Sequence, residues 1–148
     1  RQNRAGMFRV ARMMLRNDSD AEEAVAEATM KAYAHIGSLR SWDAVRPWLM
    51  RITVNASHKV LRTRKRETPS DEQSVFDRPA PEQKRADIWD EVKKLDEKYS
   101  VPLTMFYAED MSLAEISRAL RLTRGTVSSR LTRGRQKLKA MMEKEEAL

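Results

Sequence analysis

The chain has 148 residues, of which 34% are charged and 41% hydrophobic, and its net charge at pH 7 is +7. A pI of about 9.9 favours an anionic partner, which means nucleic acid or an anionic surface. The absence of cysteine excludes disulfides and thiolate metal sites and fits a reducing cytoplasm. No apolar run approaches the roughly 18 residues that span a bilayer, so we expect no membrane insertion.

The charge is distributed unevenly along the chain. By count, residues 1–66 carry +8 and residues 112–148 carry +5, whereas 67–86 carry −2 and 87–111 carry −4. Two basic blocks around an acidic middle indicate two nucleic-acid contacts joined by a segment that avoids nucleic acid. The alternation of β-branched and aromatic residues that strands require is scarce. The sequence therefore predicts an all-α fold of two small helical domains joined by a flexible linker.

The first domain, 1–66, is predicted to be a three-helix bundle. Ser19 followed by Glu22 has the spacing of a capping box that starts the second helix. Asp43 is a candidate cap for the third helix, with Pro47 in the first turn, where a missing N–H costs little. The second helix carries an apolar stripe made of Ala21, Ala24, Val25, Ala28, Ala32, Tyr33 and Ile36.

The linker is predicted at 67–86, where prolines and mixed charge leave little apolar bulk for a core. The second domain, 87–148, is predicted to hold four helices. Asp96 is a plausible cap for the second of these, and Pro102 is expected to kink it. The apolar positions of its first helix are Ile88, Trp89, Val92 and Leu95.

The segment "SLAEISRALRLTRGTVSSRLTRGRQKL", residues 112–138, has the pattern of a helix-turn-helix. Ser112 with Glu115 forms a second capping box, Leu122 anchors the turn, and Thr123 caps the next helix. Arginine can pair with guanine, and the small hydroxyls can approach any base in the major groove. Cap, turn, apolar spacing and basic face agree, which disfavours an ordinary solvated helix. The outward residues are Arg124, Thr126, Ser128, Ser129, Arg130, Thr132, Arg133 and Lys137.

This motif resembles region 4 of the extracytoplasmic-function group (group 4) of bacterial sigma factors in the sigma-70 family. "DAEEAVAEATMKAYAHI" and "PWLMRITVNASHKVLRTRKR" resemble region 2 of the same group, in the expected order. The resemblance implies a promoter-specificity subunit of RNA polymerase that directs transcription initiation. Region 2 would bind the polymerase clamp and capture and melt the minus-ten element. Region 4 would read the minus-thirty-five element and touch the polymerase flap.

The resemblance also implies roles for residues of region 2. Core polymerase would be bound by Asp20, Glu23, Glu27, Met30 and Lys31. The minus-ten element would be bound by Trp42, Arg51, Asn55, Lys59 and Arg62. Each role has a simpler alternative. The acids also suit a solvated helix flank near a positive helix N-terminus, Trp42 also suits the helical core, and Asn55 also suits a surface amide.

In region 4, the resemblance assigns minus-thirty-five contacts to the outward residues of the helix-turn-helix, with base reading at Ser128, Ser129, Thr132 and Arg133. Ser128 replaces the more usual Lys or Arg, so the resemblance does not specify which minus-thirty-five sequence is read. Arg121 occupies a turn position that is often glycine. If its backbone is left-handed, the strain is of order 1 kcal/mol.

No enzyme activity, cofactor or metal site is expected, because the chain has only two histidines, no glycine-rich phosphate loop and no ligand cluster. The expected partners are core RNA polymerase, promoter DNA and an anti-sigma factor, which would hold the protein near the membrane or release it to the nucleoid within the cytoplasm. Two alternatives stay open. One is a free-standing helix-turn-helix regulator, and the other is a sigma-like decoy for an anti-sigma factor.

Overall fold

A computed structural model describes residues 3–67 and 88–147. These residues form seven α-helices and no strand, which confirms the all-α prediction. No helix among them is both long enough and apolar enough to cross a membrane. Most of the predicted linker, 68–86, lies outside the described residues. The helices are α1 (Arg4–Leu15), α2 (Asp18–Ala34), α3 (Val45–Glu67), α4 (Ile88–Val92), α5 (Glu97–Leu103), α6 (Leu113–Leu120) and α7 (Arg124–Ala147).

The helices α1 to α3 form a bundle, called here the first unit (residues 3–67), in which each helix packs against the other two. The apolar stripe of α2 is buried through Ala32, but two residues predicted to extend it are not. Ile36 is 45% exposed, because α2 ends at Ala34 and Ile36 lies in the 3₁₀ turn that follows. Tyr33 is 79% exposed although it lies inside α2.

The helix starts in the first unit differ from the predicted caps. Asn17, not Ser19, caps α2: its side chain accepts a hydrogen bond from the backbone N–H of Asp20 at 2.8 Å. Asp43 lies inside a 3₁₀ turn (Trp42–Ala44) that leads directly into α3. Pro47 occupies the first turn of α3, as predicted.

The helices α4 to α7 form the second unit (residues 88–147). Asp96 caps α5, as predicted, by accepting from the backbone N–H of Lys98 at 3.2 Å. Pro102 lies inside α5, which gives way to one turn of π-helix (Thr104–Ala108). A proline removes one backbone donor, and a π turn is one of the ways in which a helix absorbs that loss. Ile88, predicted as core, is 42% exposed.

The two units pack against each other. The helix α3 contacts α6, and α1 contacts α5 and the π turn. Buried residues from both units, among them Met7, Met50, Met105 and Ile116, belong to one connected apolar cluster. The described residues therefore show a closed arrangement of the units.

Candidate nucleic-acid interface

The helix-turn-helix is built as its sequence predicts. The Ser112 hydroxyl accepts from the Glu115 N–H at 3.1 Å, and the Glu115 carboxylate accepts from the Ser112 N–H at 3.0 Å. Arg121 ends α6 with φ 59° and ψ 46°, so the backbone at this turn position is left-handed. Thr123 accepts from the Thr126 N–H at 3.1 Å and starts α7. The two helices are joined by buried Ile116, Ala119, Val127 and Leu131.

The outward face of α7 exposes most of the residues predicted to contact DNA. Thr126 and Arg130 are half-buried, and the Thr126 hydroxyl already accepts a hydrogen bond from Thr123 at 2.9 Å. No ion pair within the described residues engages Arg124, Arg130 or Arg133. Their guanidinium groups are therefore available to an external anion. The exposed members of the face are Arg124, Ser128, Ser129, Thr132, Arg133 and Lys137.

Two residues of α5, which the sequence pattern did not indicate, lie beside this face. Lys98 and Tyr99 border a depression of about 470 Å³ together with Gly125, Ser129 and Arg133. The Lys98 ammonium lies 5.4 Å from the centroid of the Tyr99 ring. Lys98 adds a cation beside the start of α7. It was missed because it comes from a different helix about 30 residues earlier.

Acidic residues of α2 that were predicted to bind polymerase are paired with basic residues of α3, including Lys59, which was predicted to bind the minus-ten element. Arg64 of α3 donates to Asp20 of α2 at 2.6 Å and to Glu23 at 3.3 Å. Lys59 of α3 lies 2.9 Å from a carboxylate oxygen of Glu27. These pairs fasten α3 to α2, so part of the predicted polymerase-binding face is engaged inside the molecule.

The pairs lower the pKa of both carboxyl groups. Burial alone would raise the pKa of Asp20, but hydrogen bonds from Arg64 and Asn17 outweigh it. The hydrogen bond from Lys59 is the main cause of the lowered pKa of Glu27, and burial opposes it. Both groups are therefore held as carboxylates at neutral pH.

The remaining polymerase-binding candidates of α2 are accessible. Met30 is 71% exposed, and the Lys31 ammonium lies 3.7 Å from Glu27 one helical turn earlier. Glu23 is also exposed. The exposed face of α2 is thus partly apolar and partly charged. Met30 lies beside acidic residues whose charge is partly neutralised by neighbouring Lys and Arg side chains.

An aromatic groove lies at the other end of α2. Trp42 is 73% exposed, so the alternative that it closes the helical core is wrong. Tyr33, Ile36 and Trp48 line the same groove, whose volume is about 670 Å³. Exposed aromatic rings that border a groove are suited to stacking on unpaired bases.

Other predicted minus-ten residues face the second unit. Arg51 and Asn55 of α3 line a cleft of about 670 Å³ whose opposite wall includes Arg121 and Arg130. Burial and the nearby charge of Arg121 lower the pKa of the Arg51 guanidinium. Arg62 is exposed elsewhere on α3. The structure therefore exposes Trp42, Asn55, Lys59 and Arg62, whereas Arg51 is half-buried at the cleft between the units.

Comparison with known proteins gives two family matches in chain order. Residues 1–67 match the family described as Sigma-70 region 2, and residues 85–138 match Sigma-70, region 4. Among curated relatives, the ECF RNA polymerase sigma factor SigM of Mycobacterium tuberculosis is 29% identical over 145 residues, covering 96% of this chain and 74% of its own. SigM of Bacillus subtilis is 29% identical over 143 residues, covering 91% of this chain and 87% of its own.

Two solved structures share the fold of this chain. The sigma factor RpoE of Bartonella quintana, in complex with the anti-sigma factor NepR, has a TM-score of 0.76 at 22% identity, covering 95% of this chain and 91% of its own. CnrH, in complex with the cytosolic domain of CnrY, has a TM-score of 0.72 at 22% identity. The match covers 96% of this chain and 83% of the CnrH chain. At this level of identity the likeness concerns the arrangement of helices.

Proposed function

The chain belongs to the extracytoplasmic-function group of the sigma-70 family, and we propose that its two units bind the two elements of a promoter on behalf of RNA polymerase. It is an alternative sigma factor that directs the polymerase to specific promoters. The second unit (residues 88–147) reads the minus-thirty-five element, and the first unit (residues 3–67) captures the minus-ten element.

The observation that carries this proposal is the outward face of α7. Three guanidinium groups that form no ion pair within the described residues stand among exposed serine and threonine hydroxyls at the start of a helix that packs against α6. Such a face fits the major groove, where Arg133 can pair with a guanine and Ser129 can accept from or donate to a base edge. Lys98 is positioned to neutralise a neighbouring phosphate.

The first unit supports the minus-ten role through the aromatic groove. Trp42 and Tyr33 offer ring faces that no core packing occupies, and base stacking on such rings is worth roughly 1–3 kcal/mol per base. Lys59 and Arg62 lie on α3 in the same unit and would follow the DNA backbone. Exposed Glu23 and Met30 of α2 would contact the polymerase clamp.

The remaining partners follow from the same family membership. We expect an anti-sigma factor to bind this chain, as NepR binds RpoE and CnrY binds CnrH. We expect the protein to act in the cytoplasm, on the nucleoid when active, and to have no catalytic step of its own. The catalytic chemistry of RNA synthesis would belong to the polymerase.

Run-off transcription with bacterial core polymerase on a pooled promoter library tests the proposal. We expect new transcripts only when the protein is present, from templates that share two spaced elements. Absence of transcripts together with tight binding to duplex DNA alone would identify a free-standing regulator. Absence of both, with retained binding to an anti-sigma factor, would identify a decoy.

A further inference from the structure

Three guanidinium groups line the cleft between the units, called here the inter-unit cleft (Arg51 and Asn55 on one wall, Arg121 and Arg130 on the other). Arg51 belongs to α3 of the first unit, and the other two arginines belong to the helix-turn-helix. Arg51 and Arg130 are half-buried, and Arg121 is exposed. The volume of the cleft is about 670 Å³, within the range of roughly 300–1,000 Å³ that small-molecule sites occupy.

These three arginines have no internal counter-charge. None of them forms an ion pair or a side-chain hydrogen bond within the described residues. Burial, and after it the charge of Arg121, lowers the pKa of Arg51. Because arginine stays protonated at neutral pH, the charges of Arg51 and Arg121 repel each other across the cleft. A bound anion would offset this repulsion.

The charge of the lining is positive in sum, with four permanent cations and two acids. The fourth cation is Lys98 of α5, which is exposed. Both acids are engaged by other groups. Glu97 contacts the imidazole of His58, and Asp96 accepts from the backbone N–H of Lys98 at 3.2 Å. The guanidinium groups are therefore left for an anion from outside the chain.

Other acids at the contact between the units have cations of their own. Arg46 of α3 donates to both carboxylate oxygens of Glu115, at 2.9 and 3.1 Å. Burial alone would raise the pKa of Glu115, but hydrogen bonds from the Ser112 N–H and from Arg46 outweigh it, so the pKa is lowered. Arg9 of α1 donates to the carboxylate of Glu109 at 2.5 and 3.2 Å. No ion pair within the described residues joins these acids to the arginines of the inter-unit cleft.

The inter-unit cleft also has an apolar part. Val54, Val101, Pro102 and Ala119 line it and are buried in the core, so this part of the lining is fixed by packing. A flat apolar group such as a nucleobase can lie against it. The exposed amide of Asn55 offers a donor and an acceptor to the polar edge of such a group.

We propose that the inter-unit cleft is a binding site for a free nucleotide that carries two or more phosphate groups. Arginine binds phosphate oxygens through a planar fork of N–H donors, and the cleft supplies such forks from both units. The apolar lining and Asn55 take the base. This site goes beyond promoter recognition, and its test needs neither polymerase nor promoter, so its failure leaves the proposed function in place.

Isothermal titration calorimetry on the full chain tests the site, with ATP, AMP, adenosine and inorganic tripolyphosphate as probes. The buffer contains no Mg²⁺, which would compete with the arginines for the phosphates. We expect ATP to bind about tenfold or more tightly than AMP, because charged hydrogen bonds carry the affinity. Adenosine should give no measurable binding. Tripolyphosphate should bind about threefold or more weakly than ATP, because it leaves the apolar lining empty.

Arg51→Gln and Arg121→Gln remove one cation from each wall of the cleft. Each should weaken ATP binding roughly tenfold, since a hydrogen bond to a charged group contributes about 1.5–3 kcal/mol. Arg62→Gln is the matched control, because Arg62 is an exposed arginine of the same helix as Arg51 and does not line the cleft. It should leave ATP binding unchanged. Circular dichroism should show the same helix content in all variants.

Three results would overturn the site. Equal losses of ATP binding in the control and in the cleft variants would show attraction to net charge alone. Tripolyphosphate that binds as tightly as ATP would show that the base makes no contact. Binding of a short single-stranded oligothymidylate that is weakened by Arg51→Gln, with no binding of ATP, would assign the cations of the cleft to the DNA backbone.

Discussion

The two units present their cations in different ways. In the second unit, Arg124 and Arg133 of α7 are exposed and engage no acid within the described residues. In the first unit, Lys59 and Arg64 of α3 are bound to acids of α2. The guanidinium groups of Arg124 and Arg133 are therefore available to an external anion, whereas Lys59 and Arg64 help to hold α3 against α2. Because Lys59 and Arg64 are already paired with acids of α2, we expect the first unit to depend more on its partners than the second unit does.

The largest expected effect is at the open face. The Arg130→Ala, Arg133→Ala double variant should reduce promoter-specific transcription by at least tenfold, because one arginine–base contact discriminates by about 1–3 kcal/mol. Binding to core polymerase, measured by co-migration, should not change. Arg135→Ala on the same helix is the control, since its guanidinium donates to the Tyr107 hydroxyl at 3.0 Å. Equal losses for the control and the double variant would contradict base reading by this face.

Next in size is the aromatic groove of the first unit. Trp42→Ala should weaken binding to single-stranded non-template DNA in the polymerase complex by about tenfold or more, since stacking on one ring contributes roughly 1–3 kcal/mol. The melting temperature of the free protein should stay the same because Trp42 is 73% exposed. A fall in the melting temperature with unchanged DNA binding would show that Trp42 stabilises the fold and does not bind DNA.

The paired acids of the first unit predict a stability effect. Asp20→Ala should lower the free energy of unfolding by about 1–3 kcal/mol, because it removes a carboxylate that is largely shielded from water and that accepts from Arg64 at 2.6 Å. Glu23→Ala, at a side chain that is 57% exposed, should cost less than about 0.5 kcal/mol. Urea unfolding of both variants makes the comparison. Similar losses at the two positions would show that the Asp20 pair is an ordinary surface pair.

The lowered pKa values of Asp20, Glu27 and Glu115 predict acid sensitivity. Because these groups bind protons more weakly in the folded state, their stabilisation is complete above the unfolded pKa of about 4 and is lost as the pH falls through the folded values. The free energy of unfolding should therefore drop below about pH 4, and less steeply in an Asp20→Asn, Glu115→Gln variant. If the free energy of unfolding falls equally with pH in the variant and in the wild type, these carboxyl groups are not the cause of the acid sensitivity.

The smallest effect concerns the turn of the helix-turn-helix. Arg121→Gly should stabilise the protein by about 1 kcal/mol, because Arg121 has a left-handed backbone at φ 59°. Its charge also lies near Arg51, so Arg121→Gln, which removes the charge but keeps a strained non-glycine residue in this backbone, separates the two causes. Equal melting temperatures for wild type and both variants would mean that neither strain nor repulsion matters there.

The helix-turn-helix could be predicted closely because its signals are local. The capping box of Ser112 and Glu115, the cap Thr123 and the left-handed Arg121 all lie within 12 residues of one another. The start of α2 was predicted two residues late, since Asn17 and Ser19 are both good caps. Asn17 prevails because it also donates from its amide to the Asp20 carboxylate at 3.0 Å.

The pairing of charges could not be predicted in the same way. Asp20 and Arg64 are separated by 44 positions, and Arg46 and Glu115 by 69. Charged surface residues follow no period that would reveal such partners. The exposure of Ile36 was missed because helical periodicity continues past Ala34 although the helix does not. Tyr33 lies inside α2, so its exposure is a matter of tertiary packing. Contacts between units depend on tertiary packing that no local pattern encodes.

The most direct test of the central claim is binding of a fluorescent promoter duplex, chosen from the transcription experiment, to the protein with and without core polymerase. The account predicts weak, salt-sensitive and sequence-tolerant binding by the protein alone. With core polymerase it predicts tight binding that is lost in the Arg130→Ala, Arg133→Ala variant. Tight, sequence-specific binding by the free protein, unchanged when core polymerase is added, would contradict it.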